Sequence, residues 1–487
     1  MMEKKREWLN QFLIDYLMLV ITWGGMFRRS FNCDTLFHYV RPQRDIIGRC
    51  EGGRYLSGLM DYILWQFGMT TADHTGITVF IAVFLIAVSV WVVQRSFEEK
   101  VRCRNGYEKV AYYAVTGLMF SNVLFSESLM FGECSLMFGL AYLFASIGIF
   151  LFTKKKYMAA FLLFLCSTME YQVAVVYAAI ILSAWIFLHQ EYKITVQTVL
   201  QEFICGCVTF GAGLLNMLSI TVLVKTGILE KAEKGAGIGD IIGKIGLCAE
   251  DIVSLLKDSR GLLPGAGLPF LIMVFAAGIT LRKFLKDRNW MAVLYYILLL
   301  AAMTMMIYVL PMVQASSMLY PRLIWVFYIM QSMLLLIAFV CTGETVRKVM
   351  CYVCCGYLAV QIMFCHIIVT NHMVSNTLDK TYVMMFCQEV EKYEAQTGLR
   401  VEKLAVANDT DCPSSYNNVY YKTDQINERA LGIVTNTLVN AVSGRKFEKV
   451  SMDETVYREH FEGKNWDYFD ASEQLVILGD TAYWVIF

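Results

Sequence analysis

Charged residues are scarce in this sequence, at 17% of 487 residues against roughly a quarter in an ordinary soluble domain. The two signs balance at 42 each, so no basic excess points to nucleic acid. Proline occurs only 6 times, and the 6 histidines are scattered singly, which forms no cluster of metal-ligand type. There is no paired CxxC of the zinc kind, no Walker loop and no GxGxxG after a strand, so soluble nucleotide chemistry lacks its usual sequence support. What is abundant is apolar: 57% of the chain is hydrophobic, more than a soluble core can use. The 15 cysteines lie mostly within apolar runs, where a thiol behaves as a small hydrophobe. Cys33 and Cys50 share one connection, and Cys387 and Cys412 share the tail. Spacing permits a disulfide in either pair and requires neither.

A membrane span needs about 20 mainly apolar residues to cover a hydrocarbon layer about 30 Å thick. Windows near 9–27, 76–94, 108–126, 134–152, 157–188, 203–224, 268–285, 290–310, 322–341 and 349–369 qualify. The 157–188 window is too long for one straight crossing and holds Glu170, Tyr171 and Gln172 near its middle, so it splits into two helices meeting there. The sequence therefore predicts an α-helical polytopic membrane protein with about eleven crossings. The first window follows Lys4, Lys5 and Arg6 and has no small-residue cleavage site after it, which predicts a retained helix.

Short cytoplasmic connections favour Lys and Arg. A cytoplasmic N-terminus places Arg95, Lys100, Arg102 and Arg104 inside, then Lys154 to Lys156, then Arg282, Lys283, Lys286 and Arg288, then Arg347 and Lys348. Segments 28–75, 127–133, 225–267 and 311–321 then face outward, as does the chain after about 370. The predicted domains are a multi-spanning region, 1–370, with 28–75 as its catalytic outward loop, and an extracytoplasmic α/β domain, 371–487. In the latter, helical patterns at 372–397 and 424–442 alternate with strand-like runs such as VEKLAVA and QLVILG. The 225–267 connection reads as a glycine-rich stretch followed by an interfacial helix.

The first outward loop departs from the charge rule. It carries Arg28, Arg29, Arg41, Arg44, Arg49 and Arg54 among Asp34, Asp45, Glu51 and Asp61. Such arginines either touch lipid headgroups or recognise a particular phosphate, and their helical spacing fits amphipathic helices lying on the membrane. In FSESLMFGECSLMF, Glu127 and Glu133 border a short turn. A carboxylate there ordinarily just meets water, yet the first loop must lie close, so Asp34 and one of these glutamates can converge. Paired carboxylates activate a hydroxyl or bind a metal ion. Glu170, Tyr171 and Gln172 either satisfy a helix break or line a cavity. Arg322, after Pro321 in SMLYPR, either anchors at the interface or binds a lipid phosphate.

The acidic residue after the first span, the later GGRYL, the short acidic second loop, the YQ at a helix break and the PR before a late span together resemble the bacterial glucosyl transferase II family. Its members are polytopic glycosyltransferases of the GT-C class. The resemblance implies transfer of a hexose, glucose by the family's name, from a polyprenyl-phosphate donor to a surface polysaccharide acceptor of O-antigen or teichoic-acid type, in contact with membrane lipid. It makes Asp34 the general base or acceptor-orienting group, with Glu127 and Glu133 as acidic partners. Arg54 and Arg322 would hold the carrier phosphate, with Arg44 also on the substrate side, while Glu170, Tyr171 and Gln172 line the sugar pocket. The family often has adjacent acidic residues where this chain reads Asn32, Cys33, Asp34, so a divalent ion, Mg2+ or Mn2+, stays open as a cofactor. A transporter or flippase of lipid-linked sugar is the rival reading, but it normally carries internal repeats, and no such symmetry is present in the sequence. A non-catalytic scaffold would explain the tail and not the first loop's acid and arginines.

Overall fold

In the computed structural model, the described residues are 2–101, 103–230, 241–314, 319–408, 426, 429–464 and 470–486. Among them, seven helices are long and apolar enough to cross a membrane: Thr75–Phe97, Gly132–Thr153, Val196–Lys225, Leu268–Lys286, Trp290–Val313, Pro321–Cys341 and Glu344–Thr397. Two shorter apolar helices, Tyr157–Glu170 and Val173–His189, meet at Tyr171, whose backbone is extended at φ −154° and ψ 121°. The long 157–188 window therefore breaks at its polar point.

Two other expected windows take a different form. The first becomes helix Met2–Trp23, which holds buried Asp15 and Gln11 against Gln94 of the next helix. The 108–126 window becomes helix Gly106–Gly117 followed by a 3-10 turn at Val123–Phe125 and a short helix, Ser126–Met130. Asn122 causes that interruption: its amide donates to the Leu118 and Met119 carbonyls, and its oxygen caps the Phe125 N–H. Side-chain bonds of this kind compete with the helical ladder.

Helix–helix contacts rely on small residues, as is usual where apolar packing rather than water exclusion joins helices. At Gly139, an added Cβ would lie 2.9 Å from the Ala82 Cα, so helices Thr75–Phe97 and Gly132–Thr153 approach backbone to backbone. Their N-termini meet at Thr75 and Gly132, and at their far ends Lys154 pairs with Glu99. One end carries the loop helices Cys33–Val40, Pro42–Glu51 and Tyr55–Gln66. Nearby at that end Lys244 of helix Ile241–Asp258 donates to the Gln314 carbonyl.

Helix Glu344–Thr397, about 80 Å long at 1.5 Å per residue, leaves the bundle at the loop end and enters the tail. The expected boundary at 370 lies inside it. There Val383, Phe386 and Val390 pack against a four-stranded sheet of β1 (Lys403–Asn408), β2 (Glu448–Val450), β3 (Leu475–Leu478) and β4 (Thr481–Ile486). The order is β2-β1-β4-β3, with β1 parallel to both neighbours and β3 antiparallel to β4. Phe386 stacks on Trp484 at 4.9 Å. Phe31, Cys33 and Leu36 of the first loop belong to this second core, so the tail grips the loop. The predicted 424–442 helix is present as Thr435–Ser443, and its first residues lie partly outside the described ones. Cys33 and Cys50 are not joined by a disulfide, and Cys412 lies outside the described residues.

Candidate active site

The site is assembled from three connections at the loop end. In the first, Asn32 starts helix Cys33–Val40 with a capping box: its side chain accepts from the Thr35 N–H while Thr35 Oγ1 receives the Asn32 N–H. The cap also ties the loop to the bundle, because Asn32 Nδ2 donates to the Met130 carbonyl at 3.0 Å and Thr35 Oγ1 donates to Glu133 Oε2 at 2.6 Å. Asp34, between these anchored residues, is exposed. Its charge is within electrostatic reach of Asp45, Glu133 and Arg322. The first loop and the short acidic turn thus lie against one another, as their lengths require.

Glu127 is fully buried and commits both oxygens to one residue. Oε1 accepts from Arg322 Nη1 at 2.8 Å and Oε2 from the Arg322 backbone N–H at 2.6 Å. Pro321 at the first helical position leaves that following N–H available. The Arg322 guanidinium lies over the rings of Phe131, at 4.6 Å, and Tyr320, at 4.3 Å, so its direction is set on several sides. Tyr171, freed by the helix break, donates its hydroxyl proton to the Arg322 carbonyl at 3.1 Å.

Arg54 also meets Tyr171, its guanidinium 5.5 Å from the ring centre. It follows a turn that needs glycine: Gly53 has φ 74°, and a Cβ there would lie 2.4 Å from Ile220. Neighbours hold that turn, since Gln172 Nε2 donates to the Gly52 carbonyl at 2.7 Å and Asn216 Nδ2 to the Gly53 carbonyl at 3.1 Å. Arg54 Nε is buried with no acceptor among the described residues. Burial, and then the charges of Arg49 and Arg322, hold Arg54 below the usual guanidinium range. Two arginines near one tyrosine, one of them with an unmet donor, suit a phosphate-sized anion.

Below this lies a layer the sequence did not single out. Arg49 is buried, 2.5 Å from Asp61, and donates to Ser57 Oγ and the Glu133 carbonyl. His38 Nδ1 is 3.2 Å from Asp45 Oδ2. Burial, reinforced by the Arg49 and Arg54 charges, pushes His38 down to about 3, so its ring is neutral. Burial pushes Asp45 up to about 6 against the pull of Arg49, with Asp34 and Asp61 adding to the rise. Burial likewise raises Asp61.

The predicted residues therefore do not all converge. Asp34, Glu127, Glu133, Arg54, Tyr171, Gln172 and Arg322 share one region. Glu170 is buried one residue before the break, its Oε2 without a hydrogen-bond partner among the described residues. Arg44 is exposed, paired with Glu51 at 2.9 Å and 3.9 Å from Glu230, outside this cluster. Arg49, His38, Cys134, Thr35 and Asn216 went unremarked as site residues because nothing local distinguishes them. Arg49 has the helical spacing of an interfacial arginine, and Thr35 meets Glu133 across 98 positions of sequence.

A family model described as Glucosyl transferase GtrII matches residues 25–339. The match spans the loop, the acidic turn, the break at Tyr171 and Arg322, and ends before helix Glu344–Thr397. No curated protein and no solved structure matches.

Proposed function

The chain belongs to the GtrII glucosyl transferase family, and from that premise we propose that it transfers a glucosyl unit from a polyprenyl-phosphate carrier to a surface polysaccharide. The proposed topology is multi-pass, with the N-terminus cytoplasmic and the site and tail on the outer face. The observation that carries the reading is that Arg54 and Arg322 both lie within electrostatic reach of Tyr171 and of each other, with Asp34 in reach of Arg322.

In this reading the acceptor hydroxyl attacks the anomeric carbon as the bond from that carbon to the phosphate oxygen breaks. Asp34 takes the hydroxyl proton, and the carrier leaves as a monoester bearing one more negative charge. Arg54 and Arg322 meet that growing charge, the type of interaction that accelerates a reaction most when the donors are already in place. Direct displacement inverts the sugar carbon. Glu127 cannot serve as a base while both its oxygens hold Arg322, so its role is to aim that arginine. Glu133 is tied to Thr35 and steadies the loop beside Asp34. Tyr171, Gln172 and Glu170 border the sugar.

The test uses full-length protein in liposomes with a polyprenyl-phosphate-glucose donor and polysaccharide acceptor. Wild type should transfer label to the polymer. Asp34→Asn should lose transfer by roughly 100- to 10,000-fold, the usual worth of a positioned base, while remaining monodisperse in detergent. Undiminished turnover by that variant removes Asp34 from the role, and wild-type protein that moves the lipid across the bilayer without transferring its sugar is a flippase.

A further inference from the structure

We propose that His38, Glu133 and Cys134 form a site for a zinc-class transition-metal ion. One ligand atom from each residue lies within 4.8 Å of the other two. They come from two elements, His38 from the last turn of helix Cys33–Val40 and the acidic pair's neighbour Cys134, with Glu133, from the first turn of helix Gly132–Thr153. A buried cysteine is ordinarily a small hydrophobe. The Cys134 thiol instead donates to Glu133 Oε1 at 3.6 Å. A tetrahedral ion with bonds of about 2.3 Å to sulfur and about 2.1 Å to oxygen holds those two ligands about 3.6 Å apart. The sulfur and oxygen thus already stand at the separation one ion would impose.

Glu133 is held by neighbouring groups, as metal-ligating carboxylates are, while the Arg49 and Arg54 charges act on Cys134 and His38. Asp45 Oδ2 lies 3.2 Å from His38 Nδ1, an acidic neighbour of the imidazole ligand. Thr35 Oγ1 donates to Glu133 Oε2, leaving Oε1 on the cysteine side. Arg49 holds the Glu133 carbonyl, and its charge is answered by Asp61 at 2.5 Å. Sulfur, nitrogen and oxygen donors select zinc over Mg2+ or Mn2+, which favour all-oxygen shells. Three protein ligands leave a fourth position for water or a substrate oxygen. On binding, the ion forms a bond to the Cys134 thiolate and the thiol proton goes to solvent. Such an ion would join the loop helix that carries Asp34 to the bundle, one helical turn from that residue. The site stands apart from the glucosyl-transfer reading, and its test does not use turnover.

Full-length protein in detergent is stripped with a chelator, incubated with zinc and freed of excess, and metal per chain is measured. A parallel sample takes Co2+, whose thiolate complex absorbs in the near ultraviolet. Wild type should keep about one zinc per chain in the presence of excess Mg2+, and show the thiolate band with cobalt. Cys134→Ser should lose the band, and both it and His38→Gln should lose at least 10-fold in zinc affinity with an unchanged gel-filtration profile. Wild-type protein that retains no zinc, or that takes cobalt without a thiolate band, overturns the proposal without any variant. Equal zinc retention by Cys134→Ser or His38→Gln overturns the ligand set.

Discussion

The two ends of the helical bundle differ in how many of their charged groups are exposed pairs and how many are buried. At the loop end, Glu127, Glu133 and Arg49 are buried, and each is held by specific partners from other connections. At the opposite end, Lys109 pairs with Glu7 and Lys154 with Glu99, with side chains about half or more exposed. Pairs of the second kind contribute about 0.2–1 kcal/mol. Removing one partner of the first kind costs about 3–5 kcal/mol, because it strands a buried charge. The far end also buries charge, since Glu108 pairs there with Arg347 and Arg95 Nε has no acceptor among the described residues; what sets the loop end apart is that its buried charged groups come together from three separate connections.

That contrast predicts a graded series, of which Asp34→Asn is the most severe. Next is Glu127→Gln. The amide can still accept from the Arg322 N–H but cannot also carry the ion pair, so Arg322 loses its direction while the packing survives. Turnover should fall roughly 100- to 1,000-fold, the scale of losing one aligned donor to developing charge, with the donor KM little altered. Steady-state kinetics in liposomes decide it; a variant with wild-type kcat would put Glu127 on the same footing as the exposed pairs at the far end.

Arg54→Gln should act on binding. Its Nε is buried without an acceptor, which a donor phosphate would supply. Losing a charge-assisted hydrogen bond of about 1.5–3 kcal/mol raises the donor KM by roughly 10- to 100-fold. A fall in kcat alone would show that Arg54 meets charge only in the transition state.

Much of this architecture was legible in the chain, for physical reasons that also explain what was not. Helices Thr75–Phe97, Gly132–Thr153 and Leu268–Lys286 follow uninterrupted apolar runs, and their ends lie within a few residues of the expected ones. The break at Tyr171 was visible because three polar residues interrupt an overlong run. The halt after Gly117 was not, since one side chain, Asn122, takes two backbone carbonyls inside an apolar window. The helical patterns at 349–369 and 372–397 were both legible, but not their union into the one helix Glu344–Thr397, because hydropathy falls at 370 while helical hydrogen bonding does not. At the site, single residues such as Asp34, Arg54 and Arg322 stood out by type and place. The bonds among them did not, because Glu127 meets Arg322 across 195 positions and nothing local in either segment records the partner.

The tail gives an intermediate rung. Asn376 reaches from the long helix to the first loop, accepting from the Phe31 N–H at 2.7 Å and donating to the Phe31 carbonyl at 2.9 Å. Asn376→Ala would leave both backbone groups buried and unmet, a local cost of about 1–3 kcal/mol each. Loop 28–51 should then exchange amide hydrogens faster, and turnover should drop severalfold without a change in metal content. Unaltered exchange would mean that the shared apolar core of Phe31, Cys33 and Leu36 holds the loop alone.

The smallest effect belongs to the far end. Lys109→Ala combined with Lys154→Ala removes two ion pairs that water already screens, so the thermal stability should change by about 1 kcal/mol or less for each pair and turnover should stay at the wild-type level. Inverted orientation in the bilayer is a separate readout, because Lys154 belongs to the positive set expected to fix the proposed topology. If the double variant inserts correctly yet loses turnover, charge at that end acts on the site through the bundle, and the division of labour between the ends fails. If it inserts partly inverted and turnover falls only in proportion, the far end sets orientation while the loop end carries out the transfer.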